Sequence, residues 1–242
     1  MKHQRQRSGT SAKDRFTIIL ARPENPENIG LVARSMKNTG FDKLRLVHVN
    51  NIGEKSYVTA VHAQDILENA RFYADTEQAT ADMDLVFAAT AKKRKNFSSF
   101  SLASAVSKIL YFPSATQIGL LFGNERTGLT SQELKHSNFR FTIPQAVKQP
   151  SYNLASAVLL SLFTIHTQDR AKEDSDIQGI PLSRKEQEEC ICLLLKNLEE
   201  KRFIHSTNKK HITELIYDLL GRLTMTKKDR KFLLALFSKG IR

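Results

Sequence analysis

Three segments of this chain carry polar side chains at spacings that suit chemistry on an anionic substrate: two place glycines beside amide, carboxylate and guanidinium groups, and the third carries Ser151 and Asn153. A guanidinium group can hold a phosphate through two hydrogen bonds and stabilise a developing oxyanion, while amides and carboxylates orient the reacting groups. The segments span residues 26–41, 120–130 and 143–158 and carry the patterns N-x-G-x-x-x-R, F-G-x-E-x-x-G-L and I-P…S-x-N-L-A-x-A. We expect each segment to follow a buried strand.

The signatures of several common enzyme classes do not occur in the sequence. It has no G-x-G-x-x-G, G-x-x-x-x-G-K-[ST], H-E-x-x-H or G-x-S-x-G pattern, which excludes a typical Rossmann dehydrogenase, P-loop ATPase, zinc protease or esterase. Cys190 and Cys192 lie in a leucine-rich segment whose helical spacing makes their side chains diverge, and the histidines are scattered. We therefore expect two buried structural thiols and no metal site.

The elements that must position the three segments follow from hydrophobic periodicity. Apolar runs alternate with helical patterns, which predicts an α/β fold with a parallel sheet covered by helices on both faces. Ligands of such sheets bind at the carboxyl ends of the strands. The predicted strands are Phe16–Leu20, Leu44–Val49, Leu85–Ala89, Ile118–Phe122 and Phe139–Ile143.

Two helices of the α/β region have clear apolar stripes. The first lies between the first two strands, with Asn28 predicted as its N-cap and Gly40 as its C-terminal stop. The second is predicted over residues 153–166. The stripes are Ile29, Val32, Ala33 and Met36 in the first helix, and Leu154, Val158, Leu162 and Ile165 in the second.

Composition divides the chain into four parts. They are a basic, flexible tail over residues 1–15, the α/β domain over 16–168, a linker over 169–182 and a helical extension over 183–242. In the extension, Ser183 and Glu186 form a capping-box pattern at the start of the first helix. Further helices are predicted near 210–222 and 227–238.

The surplus of positive charge suits a polyanionic partner. The formal net charge is +12 and the pI is about 9.7, and the basic residues are dispersed, which favours nucleic acid over an anionic membrane. A basic surface without a partner is the alternative. The N-terminal segment lacks the apolar core of a signal peptide, and no apolar run has transmembrane length. We expect a soluble, cytoplasmic protein.

In their order and spacing the three patterns resemble the motifs of the SPOUT class of RNA methyltransferases, and of its TrmH/TrmJ branch in particular. The resemblance covers about residues 16–166, and the helical extension is similar to that of TrmJ-type tRNA 2'-O-methyltransferases. It implies a trefoil knot near the C-terminal end of the α/β domain, a homodimer, S-adenosyl-L-methionine as cofactor and a ribose 2'-hydroxyl of tRNA as acceptor, at nucleotide 32 of the anticodon loop. An rRNA 2'-O-methyltransferase of the same superfamily and a non-catalytic RNA-binding protein are the alternatives.

The resemblance also implies roles for individual residues. Arg34 would come from the partner subunit, hold the phosphate beside the target and stabilise the developing alkoxide. Because arginine stays protonated in proteins, it acts as a general base only with help from the substrate phosphate or another group. The implied catalytic residues are Arg34, Asn28, Glu125, Ser151 and Asn153. The implied cofactor-binding residues are Thr90, Ala91, Leu121, Phe122, Gly123, Asn124, Ile143, Pro144, Ser151, Tyr152, Asn153 and Leu154, and the RNA-binding residues are Arg34, Lys92, Lys93, Arg94 and Lys95.

Each assignment has an ordinary structural alternative. Gly123 is expected to let a ligand approach the backbone closely, and Tyr152 stands where relatives often have leucine, which changes the expected pocket wall. Structurally, Arg34 and Glu125 can be solvated charges, Asn28, Ser151 and Asn153 can be helix caps, and residues 92–95 can be a surface charge run.

Overall fold

A seven-stranded sheet forms the centre of the α/β domain. The computed structural model describes residues 12–91, 99–146, 151–168 and 181–238. Every strand pair is parallel, in the order β3-β2-β1-β6-β4-β7-β5, so the predicted parallel sheet is confirmed. The strands are β1 (Phe16–Ala21), β2 (Leu44–Val47), β3 (Arg71–Tyr73), β4 (Leu85–Ala89), β5 (Phe100–Ser101), β6 (Ile118–Phe122) and β7 (Phe139–Thr142).

Helices cover both faces of this sheet because successive strand residues point to opposite sides. Ile18 and Leu20 of β1 belong to one buried cluster, whereas Ile19 and Ala21 belong to another. The helices are α1 (Pro26–Thr39), α2 (Glu54–Ala60), α3 (Gln64–Glu68), α4 (Thr76–Thr80), α5 (Leu102–Tyr111), α6 (Ser131–Lys135), α7 (Leu154–Gln168), α8 (Arg184–Glu200), α9 (Lys209–Arg222) and α10 (Lys227–Ser238).

The helix α1 begins earlier than predicted. Asn25, not Asn28, is the N-cap: its side chain accepts a hydrogen bond from the Glu27 N–H, and Pro26 occupies the first turn, where its missing N–H costs nothing. Asn28 is instead a buried residue of that turn. Gly40 ends the helix at φ 79°, as predicted. The corrected start leaves the Asn28 side chain available to other segments.

The described residues begin at Ala12, four positions before Phe16. Residues Ala12–Arg15 form a 3-10 helix, so these four residues do not belong to a tail. The buried Arg15 guanidinium donates to the Phe112 and Pro113 carbonyls at 3.0 and 2.9 Å. Residues 1–11 and 169–180 lie outside the described residues, and the proposed tail and linker stay predictions there. Leu182, placed in the linker, is fully buried, and its N–H donates to the Met225 carbonyl at 2.7 Å.

The helical extension docks on the α/β domain through buried polar contacts. The Asn138 amide, which accepts from the Val86 N–H at 2.8 Å, donates to the buried Gln187 side chain at 2.8 Å. Arg184 donates to the same Gln187 oxygen at 2.7 Å and to the Lys135 carbonyl at 2.8 Å. Because the bonds from Asn138 to Gln187 and from Arg184 to the Lys135 carbonyl join the two parts of the chain, these contacts hold α8 against the sheet.

Several predictions for the extension are settled. The capping box of Ser183 and Glu186 is confirmed. Cys190 is buried, but Cys192 is exposed, so the prediction of two buried thiols is wrong for Cys192, which α8 turns towards solvent.

Within the described ranges, no helix combines the length and hydropathy needed to span a membrane. The trefoil knot stays a prediction.

Candidate active site

A pocket opens at the carboxyl ends of β4, β6 and β7, where ligands of open α/β sheets bind. Its empty volume, which includes open solvent at the mouth, is about 960 Å³. It is lined by Ala89, Thr90, Ala91, Phe122, Gly123, Asn124, Glu125, Arg126, Thr127, Gly128, Leu129, Ile143, Gln145, Ser151, Tyr152, Leu154 and Ala157.

Most of the predicted cofactor residues line this pocket, but three do not. The Leu121 side chain packs in the core with Ile19, because its neighbour Phe122 takes the opposite face of β6. Pro144 contributes a carbonyl that accepts from the Tyr152 hydroxyl at 3.1 Å. Asn153 turns towards α1. Sequence reasoning missed Ala89, Arg126, Thr127, Gly128, Leu129, Gln145 and Ala157, all of which flank predicted residues.

Beside the pocket, one chain of hydrogen bonds joins the three sequence motifs. The Asn28 amide donates to Glu125 Oε1 at 2.8 Å, and its Oδ1 accepts from Asn153 Nδ2 at 2.9 Å. We call this contact the Glu125–Asn28–Asn153 bridge. The three residues lie far apart in sequence, so only the fold brings them together, as the motifs predicted.

Asn153 has two roles at once. Its Oδ1 accepts from the Ala155 N–H at 2.9 Å at the start of α7, while its Nδ2 donates into the bridge. Asn153 is therefore a helix cap that also contacts the first motif, and its implied role towards cofactor or substrate stays a prediction. Ser151 is exposed and lies on the pocket wall.

Glu125 holds the start of α1 as well as Asn28. Its Oε2 accepts from the Glu24 N–H at 2.9 Å, and its Oε1 accepts from the Asn25 N–H at 3.2 Å. Burial raises the pKa of Glu125, but the bonds from Asn28 and from the Glu24, Glu125 and Asn25 N–H groups outweigh burial, so the pKa lies below its ordinary value. Glu125 is therefore a carboxylate at neutral pH.

The turn that presents Glu125 is built by Asn124 and by the lack of a side chain at Gly123. The buried Asn124 amide donates to the Arg22 carbonyl at 2.8 Å, and its oxygen accepts from the Arg126 and Thr127 N–H groups. A Cβ on Gly123 would lie 2.4 Å from the Leu129 nitrogen. The turn's own returning backbone thus requires glycine here, and the close approach of a ligand to Gly123, which lines the pocket, stays a prediction.

Two further contacts support the site and were not predicted. Arg22, at φ 53°, donates to both Glu133 oxygens at 2.7 and 2.9 Å and so ties the end of β1 to α6. A Cβ on Gly30 would lie 2.1 Å from the Ser56 carbonyl oxygen, so this motif glycine permits the contact between α1 and α2. Neither role carries a local sequence signal, because the partner is distant in the chain.

Arg34 does not join the pocket of its own subunit. Its side chain is exposed on α1 and does not line the cavity. Residues 92–95 lie outside the described residues, so their predicted RNA contact is untested. In the part of the chain that the structure describes, no three His, Cys, Asp or Glu residues are placed to hold a metal ion.

The chain is similar to known methyltransferases in both sequence and structure. Residues 15–163 match the SpoU rRNA Methylase family. A tRNA (cytidine-2'-O-)-methyltransferase TrmJ from Methanocaldococcus jannaschii is 30% identical over 231 residues, which are 92% of this chain and 98% of that protein. A tRNA (cytidine/uridine/adenosine-2'-O-)-methyltransferase TrmJ from Pseudomonas aeruginosa is 26% identical, with 91% of each chain covered. The crystal structure of TrmJ from Z. mobilis has a TM-score of 0.78 at 28% identity, covering 92% of this chain and 97% of that chain.

Proposed function

The chain belongs to the SpoU rRNA methylase family, and from that premise we propose that it transfers a methyl group from S-adenosyl-L-methionine to a ribose 2'-hydroxyl of tRNA. The Glu125–Asn28–Asn153 bridge carries the proposal, because it fixes side chains from three segments beside one pocket. Relatives that are similar through both the α/β domain and the extension are named as tRNA enzymes. This favours tRNA over rRNA as the substrate.

The pocket has the chemical character that the cofactor needs. Phe122, Leu129, Ile143 and Leu154 offer an apolar wall for an adenine ring, and the strand ends offer backbone donors and acceptors. When bound, S-adenosyl-L-methionine supplies an electrophilic methyl group. The residues that would hold it lie along this wall, with Ser151 and Tyr152 at its polar side.

The bridge positions groups and does not exchange protons. Glu125 is ionised and accepts three hydrogen bonds, so it has little capacity left to act on a substrate. Its function is to fix the Asn28 amide, which then has one N–H remaining for a ribose oxygen. Asn153 fixes the other end of Asn28, so the amide orientation is set before RNA arrives.

Arg34 supplies the positive charge, and we propose that it does so from a partner subunit. Its guanidinium can hold the phosphate next to the target and stabilise the developing alkoxide. Arg34 lies six positions after Asn28 in the helix, or about 9 Å along the axis. Its side chain is exposed and does not line the pocket of its own subunit. A homodimer that places α1 over the partner's pocket would complete the site.

An exposed apolar face beside Arg34 supports this homodimer. Leu31 lies one turn before Arg34 on α1, and α7, which packs on α1, exposes Leu159, Leu160 and Phe163. Large apolar side chains left exposed on two helices that pack together are typical of a buried subunit interface.

The RNA surface and the target nucleotide complete the proposal. Residues 92–95 carry four positive charges in a row and directly follow, in sequence, the pocket residue Ala91, which suits contact with phosphates. By family resemblance the target is nucleotide 32 of the anticodon loop, and the protein works in the cytoplasm.

Two measurements test this function. Isothermal calorimetry should show S-adenosyl-L-homocysteine binding, which a non-catalytic RNA-binding protein would lack. Labelled methyl transfer into separated tRNA and rRNA, followed by mapping of 2'-O-methylated positions, should give tRNA labelled in the anticodon loop. Label in rRNA alone would make the chain an rRNA enzyme, and no cofactor binding would remove the enzymatic function.

A further inference from the structure

A surface turn of the helical extension exposes an aromatic ring among cations. The segment 201–208 joins α8 to α9, and we call it the Phe203 turn. The Phe203 residue is 58% exposed, although burying its ring would be favourable. From residue 201 to residue 211 the sequence contains Lys201, Arg202, Lys209 and Lys210 and no aspartate or glutamate.

The turn is held in one conformation by its own hydrogen bonds. The Asn208 amide donates to the Phe203 carbonyl at 2.9 Å and accepts from the His205 N–H at 2.8 Å. The Phe203 N–H donates to the Leu198 carbonyl at 2.9 Å, and the next residue, Ile204, is buried. Phe203 therefore points outwards on a fixed support, so little conformational entropy is lost when a ligand contacts it.

The backbone before Phe203 caps the end of α8. Arg202 has φ 58°, and the Arg202 and Phe203 N–H groups donate to the Glu199 and Leu198 carbonyls, both at 2.9 Å. These are the bonds of a left-handed C-terminal helix cap. The cap therefore fixes where Phe203 leaves the helix.

The charge around the ring indicates the chemistry of the partner. Lys209 forms an exposed pair with Glu199 at 2.7 Å, which contributes little to stability. Among the described residues, Lys201, Arg202 and Lys210 enter none of the ion pairs. An exposed aromatic ring on a segment with three cations outside these ion pairs is complementary to a nucleotide, whose base stacks while its phosphate meets the positive charge.

We propose that the Phe203 turn is a second RNA contact, where an unpaired base of the RNA substrate stacks on the Phe203 ring. The inference rests on the proposed function in that RNA is the substrate, and it adds a site on the extension, outside the residues that line the methyl-transfer pocket. Paired bases cannot reach the ring, so the turn recognises a loop or a single-stranded end.

A tryptophan reporter tests the contact directly, because the chain contains no tryptophan. Phe203→Trp would place the single indole in the full-length protein at the turn, and Tyr111→Trp, at a site 50% exposed on α5, is the matched control. Titration with total tRNA should quench the indole fluorescence of Phe203→Trp and leave the control unchanged, while an RNA duplex without loops should quench neither. A concentration-dependent change without RNA would show that a second copy covers the ring, which would overturn the proposal.

Affinity measurements separate this inference from the proposed function. Phe203→Ala and Phe203→Leu should each weaken binding of labelled tRNA about 5- to 100-fold, with S-adenosyl-L-homocysteine binding unchanged, whereas Phe203→Tyr and Tyr111→Ala should bind as wild type. If wild type binds and methylates tRNA but Phe203→Ala binds equally well and the indole of Phe203→Trp is not quenched, the stacking site is refuted and the enzyme function stands. If wild type binds no RNA, both proposals fail.

Discussion

Replacing Glu125 with glutamine probes the contact that organises the site. In the native protein Oε1 accepts from the Asn25 N–H and the Asn28 amide, and Oε2 accepts from the Glu24 N–H. Glutamine has nearly the same shape but only one oxygen, so its amide nitrogen must face at least one of these donors. The variant therefore loses a charged acceptor and gains an opposed pair of donors.

The expected cost follows from those bonds. A hydrogen bond to a charged group contributes about 1.5–3 kcal/mol, and Glu125 is only partly exposed, so we expect Glu125→Gln to lower the free energy of unfolding by about 1.5–3 kcal/mol. That corresponds to a decrease in Tm of about 3–12 °C for a chain of this length. Because the Asn28 amide loses its fixed orientation, kcat/KM should fall about 100-fold.

The pH dependence of unfolding separates this explanation from a packing defect. The pKa of Glu125 is lowered in the folded protein from an ordinary value of 4.5, so its contribution is complete above about that pH and is lost as the pH falls through the folded-state pKa. The difference in unfolding free energy between wild type and Glu125→Gln should be constant near neutrality and shrink on acidification. Urea unfolding over a pH series measures it, with Glu68→Gln as an exposed control. Native stability and activity in Glu125→Gln would refute the reasoning.

Three other substitutions test separate parts of the site. Arg34→Ala should abolish methyl transfer, a loss of about 3 kcal/mol or more of transition-state stabilisation, while calorimetry shows normal S-adenosyl-L-homocysteine binding; an active variant removes Arg34 from the mechanism. Gly123→Ala should weaken S-adenosyl-L-homocysteine binding and lower Tm, because its Cβ would lie 2.4 Å from the Leu129 nitrogen. Gly128→Ala, at φ 68° in open space, should lower the free energy of unfolding by only about 1 kcal/mol. Equal effects of the two substitutions would contradict the geometry. Phe163 is 55% exposed on the proposed interface, so Phe163→Glu should leave the circular dichroism spectrum unchanged but give a monomer in light scattering. That monomer should be inactive in methyl transfer. An active monomer would exclude sites shared between subunits.

The fold was predictable where burial leaves a long apolar run. Strands β1, β4 and β6 lie in the middle of the sheet and were predicted to within a residue. In contrast, β3 and β5 were missed, because they are short edge strands whose exposed residues have no apolar run, as in Arg71–Tyr73. The N-cap of α1 was placed at Asn28 because the apolar stripe begins there, whereas Pro26 marks the true start.

The candidate site was predictable in its residues and less so in its contacts. The motifs identified Asn28, Glu125 and Asn153, which the structure joins in one bridge. The pair of Arg22 and Glu133 was not predictable, because its partners are separated by 111 residues and neither stands in a motif. The close approach of the Leu129 nitrogen to Gly123 is likewise not evident from the sequence, because the two residues meet only in the folded turn.

A mixed dimer tests most directly whether the pocket of one subunit acts with Arg34 of the other. One subunit would carry Arg34→Ala with an intact pocket, and its co-expressed partner would carry Ala157→Phe, which fills the pocket but keeps Arg34. We expect each homodimer to be inactive and the purified mixed dimer to methylate tRNA, because one complete site is restored. A mixed dimer that binds S-adenosyl-L-homocysteine yet transfers no methyl group, or an active Arg34→Ala homodimer, would contradict a site shared between subunits.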